Sequence, residues 1–207
     1  MVYAAAVIGL VLVGMLGWNF VARAGYESAE YTVVEKDGNI EIREYPDLML
    51  ASVDTSIDSQ GRDGSFMKLF RYISGANESD QKIAMTTPVF MEDEVAGSNG
   101  KMGFVLPKQV AAAGVPNPEA PEVHIRKRTG GRFAVIRFSG RLDSRKTEEQ
   151  EKKLREWMAS RELNGEDTAE SAGYDPPFTP GPLRRNEVLI RLKDSAASVT
   201  TAPSDSP

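Results

Sequence analysis

Slid past itself by 83 positions, the chain lays one stretch over another: IEIREYPDLMLASVDTS, from Ile40, falls on VHIRKRTGGRFAVIRFS, from Val123. Ile40 meets Val123, Ile42 meets Ile125, Arg43 meets Arg126, Leu50 meets Phe133, Ala51 meets Ala134, Val53 meets Ile136 and Ser56 meets Ser139. Four of these pairs are identical. Agreement of the apolar positions constrains more than the identities do, because in a strand a slip of one residue turns every side chain to the wrong face. Whatever this chain folds into contains the same strand arrangement twice.

The surroundings of the two stretches extend the pattern into an internal repeat. Tyr31 to Glu35 and Asn39 to Tyr45 alternate around Asp37-Gly38, a dipeptide suited to a two-residue hairpin turn. A strand is expected from Met49 to Ile57. Phe66, Met67, Leu69, Phe70 and Ile73 then fall at helical spacing, with Asp63 or Ser65 as the cap and Gly75 beyond the carboxyl end. Strands Ile83 to Met91 and Lys101 to Leu106 follow, joined by the turn-rich EDEVAGSNG. In the second unit a helix capped by Asp143 or Ser144 carries Leu154, Trp157 and Met158 on one face, and the last strand runs from Glu187 to Leu192. Strands, helix and strands, twice, predict a pseudo-symmetric α+β domain: a curved antiparallel sheet with two helices packed outside it.

That domain is placed at residues 26–193, between two different ends. Val2 to Ala22 carries no charge, a length sufficient to cross a bilayer as a helix. Ala22-Arg23-Ala24 offers a signal cleavage site, but the basic segment that usually opens a secretory signal is missing. Residues 1–24 are therefore either a retained anchor or a signal, and by analogy with exported bacterial proteins the domain is expected outside the cytoplasm, in a periplasm. Residues 194–207 are small, polar and proline-containing, and they read as a disordered tail.

Charge and composition exclude several functions. A formal net charge of -5 opposes nucleic-acid binding, which needs a basic field. The absence of cysteine removes disulfides, iron–sulfur clusters, thiolate nucleophiles and covalent haem attachment. The single histidine, His124, shares its strand face with Glu122 and Arg126, opposite Val123 and Ile125, and so points to solvent. One exposed histidine builds neither a zinc site nor a catalytic triad, and no enzyme activity is expected. Acidic clusters at Glu78 and Glu92 lack the ligand spacing of a calcium loop, and RKRTGGR reads as a surface hairpin turn.

KIAMTTPVFM, GFVLP, FAVIRFSG and above all YDPPFTPGPLRRNEV resemble the signature segments of the SOUL family of haem-binding proteins, in that family's order, across Tyr31 to Leu192. The resemblance implies a distorted antiparallel β-barrel of two similar halves with two helices outside. It also implies non-covalent binding of haem or another tetrapyrrole in a shallow apolar groove formed by the first helix and nearby loops, with no established catalysis. Carried over by position, FMKLFRYISGAN lines that groove, making Phe66, Met67, Lys68, Phe70 and Arg71 the candidate ligand-binding residues.

The chemistry of these residues suits the task. A porphyrin needs an apolar wall for its face and cations for its propionates, and Phe66, Met67 and Phe70 supply the first while Lys68 and Arg71 supply the second. The same pattern also describes an ordinary helix whose aromatic stripe is core and whose cations are solvated, so both remain open. For an axial ligand to iron, Met67, Met85, Tyr72 or none remain open too. The alternative function is an interaction module that uses the same groove for a protein or a small apolar ligand. A monomeric domain is expected.

The carboxyl-terminal motif reads as a strap. Prolines 176, 177, 180 and 182 fix φ and remove four N–H donors, so the segment is expected to run extended across the barrel end and join no ladder before Asn186. Arg184 and Arg185 are expected to donate to backbone carbonyls or to a buried carboxylate such as Glu187.

Overall fold

The computed structural model describes residues 26–55, 64–92, 100–176 and 178–193. The expected amino-terminal segment at 1–24, the tail at 194–207 and the cap Asp63 lie outside the described residues. In chain order the elements are β1 (Glu27–Ser28), β2 (Thr32–Asp37), β3 (Ile40–Tyr45), β4 (Leu48–Asp54), α1 (Ser65–Ile73), β5 (Thr86–Thr87), β6 (Val89–Glu92) and β7 (Lys101–Val105). Then come α2 (Lys108–Ala113), β8 (His124–Arg128), β9 (Gly131–Phe138), α3 (Ser144–Ala159), β10 (Glu170–Gly173) and β11 (Asn186–Arg191).

Among the described residues nine strands form one antiparallel sheet, ordered β2-β3-β9-β11-β10-β6-β7-β4-β8, while β1 and β5 make a separate parallel pair. With β2 set aside, the order reads the same from either end once β3 is exchanged for β8, β9 for β4, β11 for β7 and β10 for β6. The register follows the same rule. Ile42 pairs with Ala134, and the residues 83 ahead of the first and 83 behind the second, Ile125 and Ala51, are themselves partners. The helices obey it as well: α1 packs on β4 and β7, and α3 on β9 and β11.

Alternation along the strands explains the layers. On β9, Ala134, Ile136 and Phe138 turn outward to Leu154 and Met158 of α3, while Phe133 and Val135 turn inward to Tyr45, Leu50, Phe90 and Leu189. On β4, Ala51 and Val53 meet Leu69, Tyr72 and Ile73 of α1, and Leu48 and Leu50 point inward. The result is a half-barrel with one internal core and a helix-covered core on each flank. α3 starts as its sequence indicates, with Asp143 accepting a hydrogen bond from the Lys146 amide at 2.9 Å.

The expected distorted barrel is a curled, open sheet: β2 and β8 are its edges, and among the described residues no ladder joins them. The structure corrects several details. A third, six-residue helix, α2, accompanies the two expected. RKRTGGR is not a hairpin, because β8 pairs with β4 and β9 with β3. Thr129-Gly130 and its counterpart Pro46-Asp47 instead carry the chain from one end of the sheet order to the other. The two links touch, since the Gly130 amide donates to Asp47 Oδ1 at 2.8 Å. The strand expected from Ile83 to Met91 is interrupted at Pro88, which brings no N–H to a ladder. Ser65 does not cap α1 with its side chain; it is the first helical residue, buried, with its hydroxyl donating to the Asp54 carbonyl at 3.4 Å. No helix among the described residues is long and apolar enough to cross a membrane.

The strap also departs from the extended form expected. It doubles back: the Tyr174 amide donates to the Arg185 carbonyl at 3.2 Å, the Arg185 amide to Asp175 Oδ2 at 2.6 Å, and Gly181–Leu183 forms a 3-10 turn. Proline fixes φ but leaves ψ free, and at the opening of a turn its missing N–H costs nothing. The ladder does begin at Asn186.

Candidate functional site

Ser65, Leu69, Tyr72 and Ile73 bury one side of α1. At 3.6 residues per turn, Phe66, Phe70, Met67 and Arg71 follow one another around the opposite arc, in that order. Phe66, Phe70 and Met67 are 36, 44 and 51% exposed. The two phenyl rings lie nearly parallel, 11° apart with centroids at 6.2 Å, and Phe66 sets its edge on Phe104 of β7 at 5.2 Å. Fully burying a large apolar side chain is worth roughly 1.5–3 kcal/mol, and three that forgo part of it on one helix face make that face a candidate binding surface.

All five residues expected at the groove thus lie on α1, with different surroundings. Leu69 and Ile73 belong to the core, and Phe66 stands at its rim. Lys68 is half-buried and Arg71 exposed; among the described residues neither has a carboxylate partner. Phe104, which backs Phe66, was not singled out from the sequence. Its signal was present: it sits in GFVLP, directly after the small Gly103.

The expected axial candidates fare unequally. Tyr72 is buried and its hydroxyl donates to the Pro116 carbonyl at 2.9 Å, while burial pushes the phenol up to about 12. Met85 packs against the core under α1. Ile125 belongs to that same core, so its neighbour His124 projects from the opposite sheet face, exposed and away from α1.

Among the described residues a charged network occupies part of the barrel interior. Glu187, 0% exposed, accepts from Arg43 at 2.7 and 3.0 Å, from Arg185 at 2.7 and 3.0 Å and from the Tyr174 hydroxyl at 2.9 Å. Arg43 and Arg185 also reach Tyr45 and Tyr31, each at 3.0 Å. Burial by itself pushes the Glu187 carboxyl up, but the hydrogen bonds and charge of Arg43 and Arg185 outweigh it and the net direction is down. Arg128 lies over the rings of Phe90 and Phe133, 4.4 Å from each centroid, and pairs with Glu170. At one end of the barrel a cleft of about 690 Å³ opens among Arg126, Arg128, Glu92, Glu170 and Glu166, lined by as many carboxylates as cations. It offers no apolar wall for a flat ring system. Among the described residues no group of histidine, aspartate and glutamate is placed to hold a metal ion.

Among the described residues the chain is thus an α+β half-barrel with apolar side chains and ion pairs packed inside it and an aromatic, thioether-bearing face exposed on one outer helix. The model of the SOUL heme-binding protein family matches residues 26–191, and the chain belongs to that family. Heme-binding protein 1 of Xenopus tropicalis is 30% identical over 176 residues, covering 79% of this chain and 91% of that protein. Its Xenopus laevis counterpart is 29% identical over 176 residues, with the same coverage. Among solved structures, a hydrolase from Listeria innocua superposes with a TM-score of 0.55 at 10% identity, covering 77% of this chain and 94% of that one. The EcmrR C-terminal domain gives 0.50 at 13% identity, covering 79% and 98%. At such identities these two share the fold alone.

Proposed function

We propose that this protein binds haem, or a closely related tetrapyrrole, non-covalently on the outer face of α1. The flat ring rests on Phe66, Phe70 and Met67, and the propionates meet Lys68 and Arg71. The observation that carries this reading is the exposed stripe itself, with its two parallel phenyl rings and with cations nearby that have no carboxylate partner among the described residues. Family membership supports the ligand class. A one-sided groove covers one porphyrin face, and after the cost of immobilising the ligand the expected affinity is on the order of micromolar. The role is holding and handing over the ligand, not transforming it.

The uncharged run from Val2 to Ala22 supports a membrane tether; the placing of a monomeric module on the extracytoplasmic side, collecting tetrapyrrole there, follows by analogy with exported bacterial proteins. Intact mass tests the tether: a retained anchor gives the full 22.6 kDa, and a cleaved signal gives a chain starting near Gly25. A second reading has the same face grip a protein or a small apolar ligand. It is favoured by the position of His124, the only histidine, on the far side of the sheet.

Titration of haemin into the full-length chain, followed at the Soret band, separates the two. A saturable shift is expected, and Phe70→Ser and Arg71→Glu are each expected to weaken it about tenfold, the equivalent of ~1.4 kcal/mol. Binding no tighter than to an unrelated acidic protein leaves the second reading standing.

A further inference from the structure

We propose that Met67 provides the protein's ligand to haem iron through its thioether sulfur, and that the protein consequently holds ferrous haem more firmly than ferric haem. This rests on the reading of the outer face of α1 as the haem site.

The donors available to iron are few. The chain has no cysteine and one histidine, and that histidine projects from the other face of the sheet. Among the described tyrosines, Tyr31, Tyr45 and Tyr174 are held in the arginine network, Tyr72 is buried on the Pro116 carbonyl, and Tyr26, 41% exposed, is not on α1, the helix that carries the exposed aromatic face. Among the described methionines, Met158 is buried under α3, Met49, Met85 and Met102 pack against the core beneath α1, and Met91 is half-buried on β6. Met67 alone is exposed.

Position singles it out as well as exposure. Around the exposed arc of α1 the phenyl rings come first, then Met67, then Arg71. That sequence of apolar wall, soft donor and cation repeats the layout of a haem read from its apolar edge through the iron to the propionates. A helix this short gains nothing from a half-exposed methionine, and leucine would form helix equally well. A thioether is neutral and soft, and a methionine ligand raises the reduction potential of haem iron, which is the same as binding the ferrous form more tightly.

The test compares haem binding by the full-length chain under air and in the presence of a chemical reductant, with Met67→Leu alongside. Leucine keeps the apolar bulk and removes the sulfur. Wild type is expected to bind ferrous haem about tenfold or more tighter than ferric haem, with a ferrous absorption spectrum distinct from that of free ferrous haem. Met67→Leu is expected to lose that preference and the distinct ferrous spectrum while its ferric affinity changes less than about threefold. Unchanged circular dichroism excludes a folding defect. Equal affinities and equal spectra for wild type and Met67→Leu overturn the assignment while the haem reading stands. If wild type binds haem in neither state, the underlying reading fails and this proposal with it.

Discussion

Glu187 shows how single residues set the behaviour of this barrel. It is a fully buried carboxylate between two arginines, and its attraction to Arg43 and Arg185 exceeds the cost of desolvating it. Glu187→Gln leaves two buried guanidinium groups without their counter-charge and is expected to cost about 3–5 kcal/mol in urea unfolding. The pH dependence has a definite sign. A carboxyl held below its ordinary 4.5 when folded stabilises the native state fully above that value, and this stabilisation is lost as pH falls below it. Tyr72 has the opposite sign: its phenol is pushed up to about 12, so its contribution is complete below 10.0 and declines between 10.0 and about 12. Unfolding midpoints measured across pH are therefore expected to form a plateau bounded near those two values. The Glu187→Gln variant should lose the acid-side slope that this carboxyl provides.

At the scale of elements, the strands and the faces of both main helices are legible in the chain, because the apolar alternation and the helical spacing are local. Leu69, Ile73, Leu154 and Met158 declare themselves that way and are buried. What was not legible is the connection between elements. RKRTGGR reads as a hairpin turn, yet its flanking strands β8 and β9 pair with β4 and β3 from the other half, a choice made by packing between stretches far apart in sequence. The exposed Phe66, Met67 and Phe70 were equally ambiguous, since spacing alone cannot distinguish a stripe that faces a sheet from one that faces water. Gly130 marks the crossing of the two links. A Cβ there would stand 2.4 Å from the Tyr45 carbonyl oxygen and 2.6 Å from the Pro46 carbonyl carbon, backbone atoms that cannot turn aside. Gly130→Ala is expected to cost at least about 2 kcal/mol in thermal or urea unfolding. Gly64→Ala, where no described residue lies within 4 Å of the added carbon, is expected to cost no more than about 1 kcal/mol, the difference between glycine and alanine at the N-cap of α1.

At the scale of the whole molecule, two halves of matching strand order and register build a curled sheet, yet their outer helices carry different surfaces. α3 carries Lys146, Lys153 and Arg155 paired with Glu149 and Glu151 along its exposed side, whereas α1 carries phenyl rings and a thioether. The ion pairs inside the barrel and the charge balance at its open end are the reasons for proposing that helix face as the place for a flat apolar ligand. The measurement that tests this most directly is the two-dimensional amide spectrum of the isotopically labelled full-length chain with and without haemin, whose paramagnetic iron broadens the signals of nearby residues. The amides of Phe66 to Arg71 are expected to disappear first, with those of Arg126 to Thr129 at the cleft unchanged. Broadening centred on the cleft, with α1 untouched, would contradict the account.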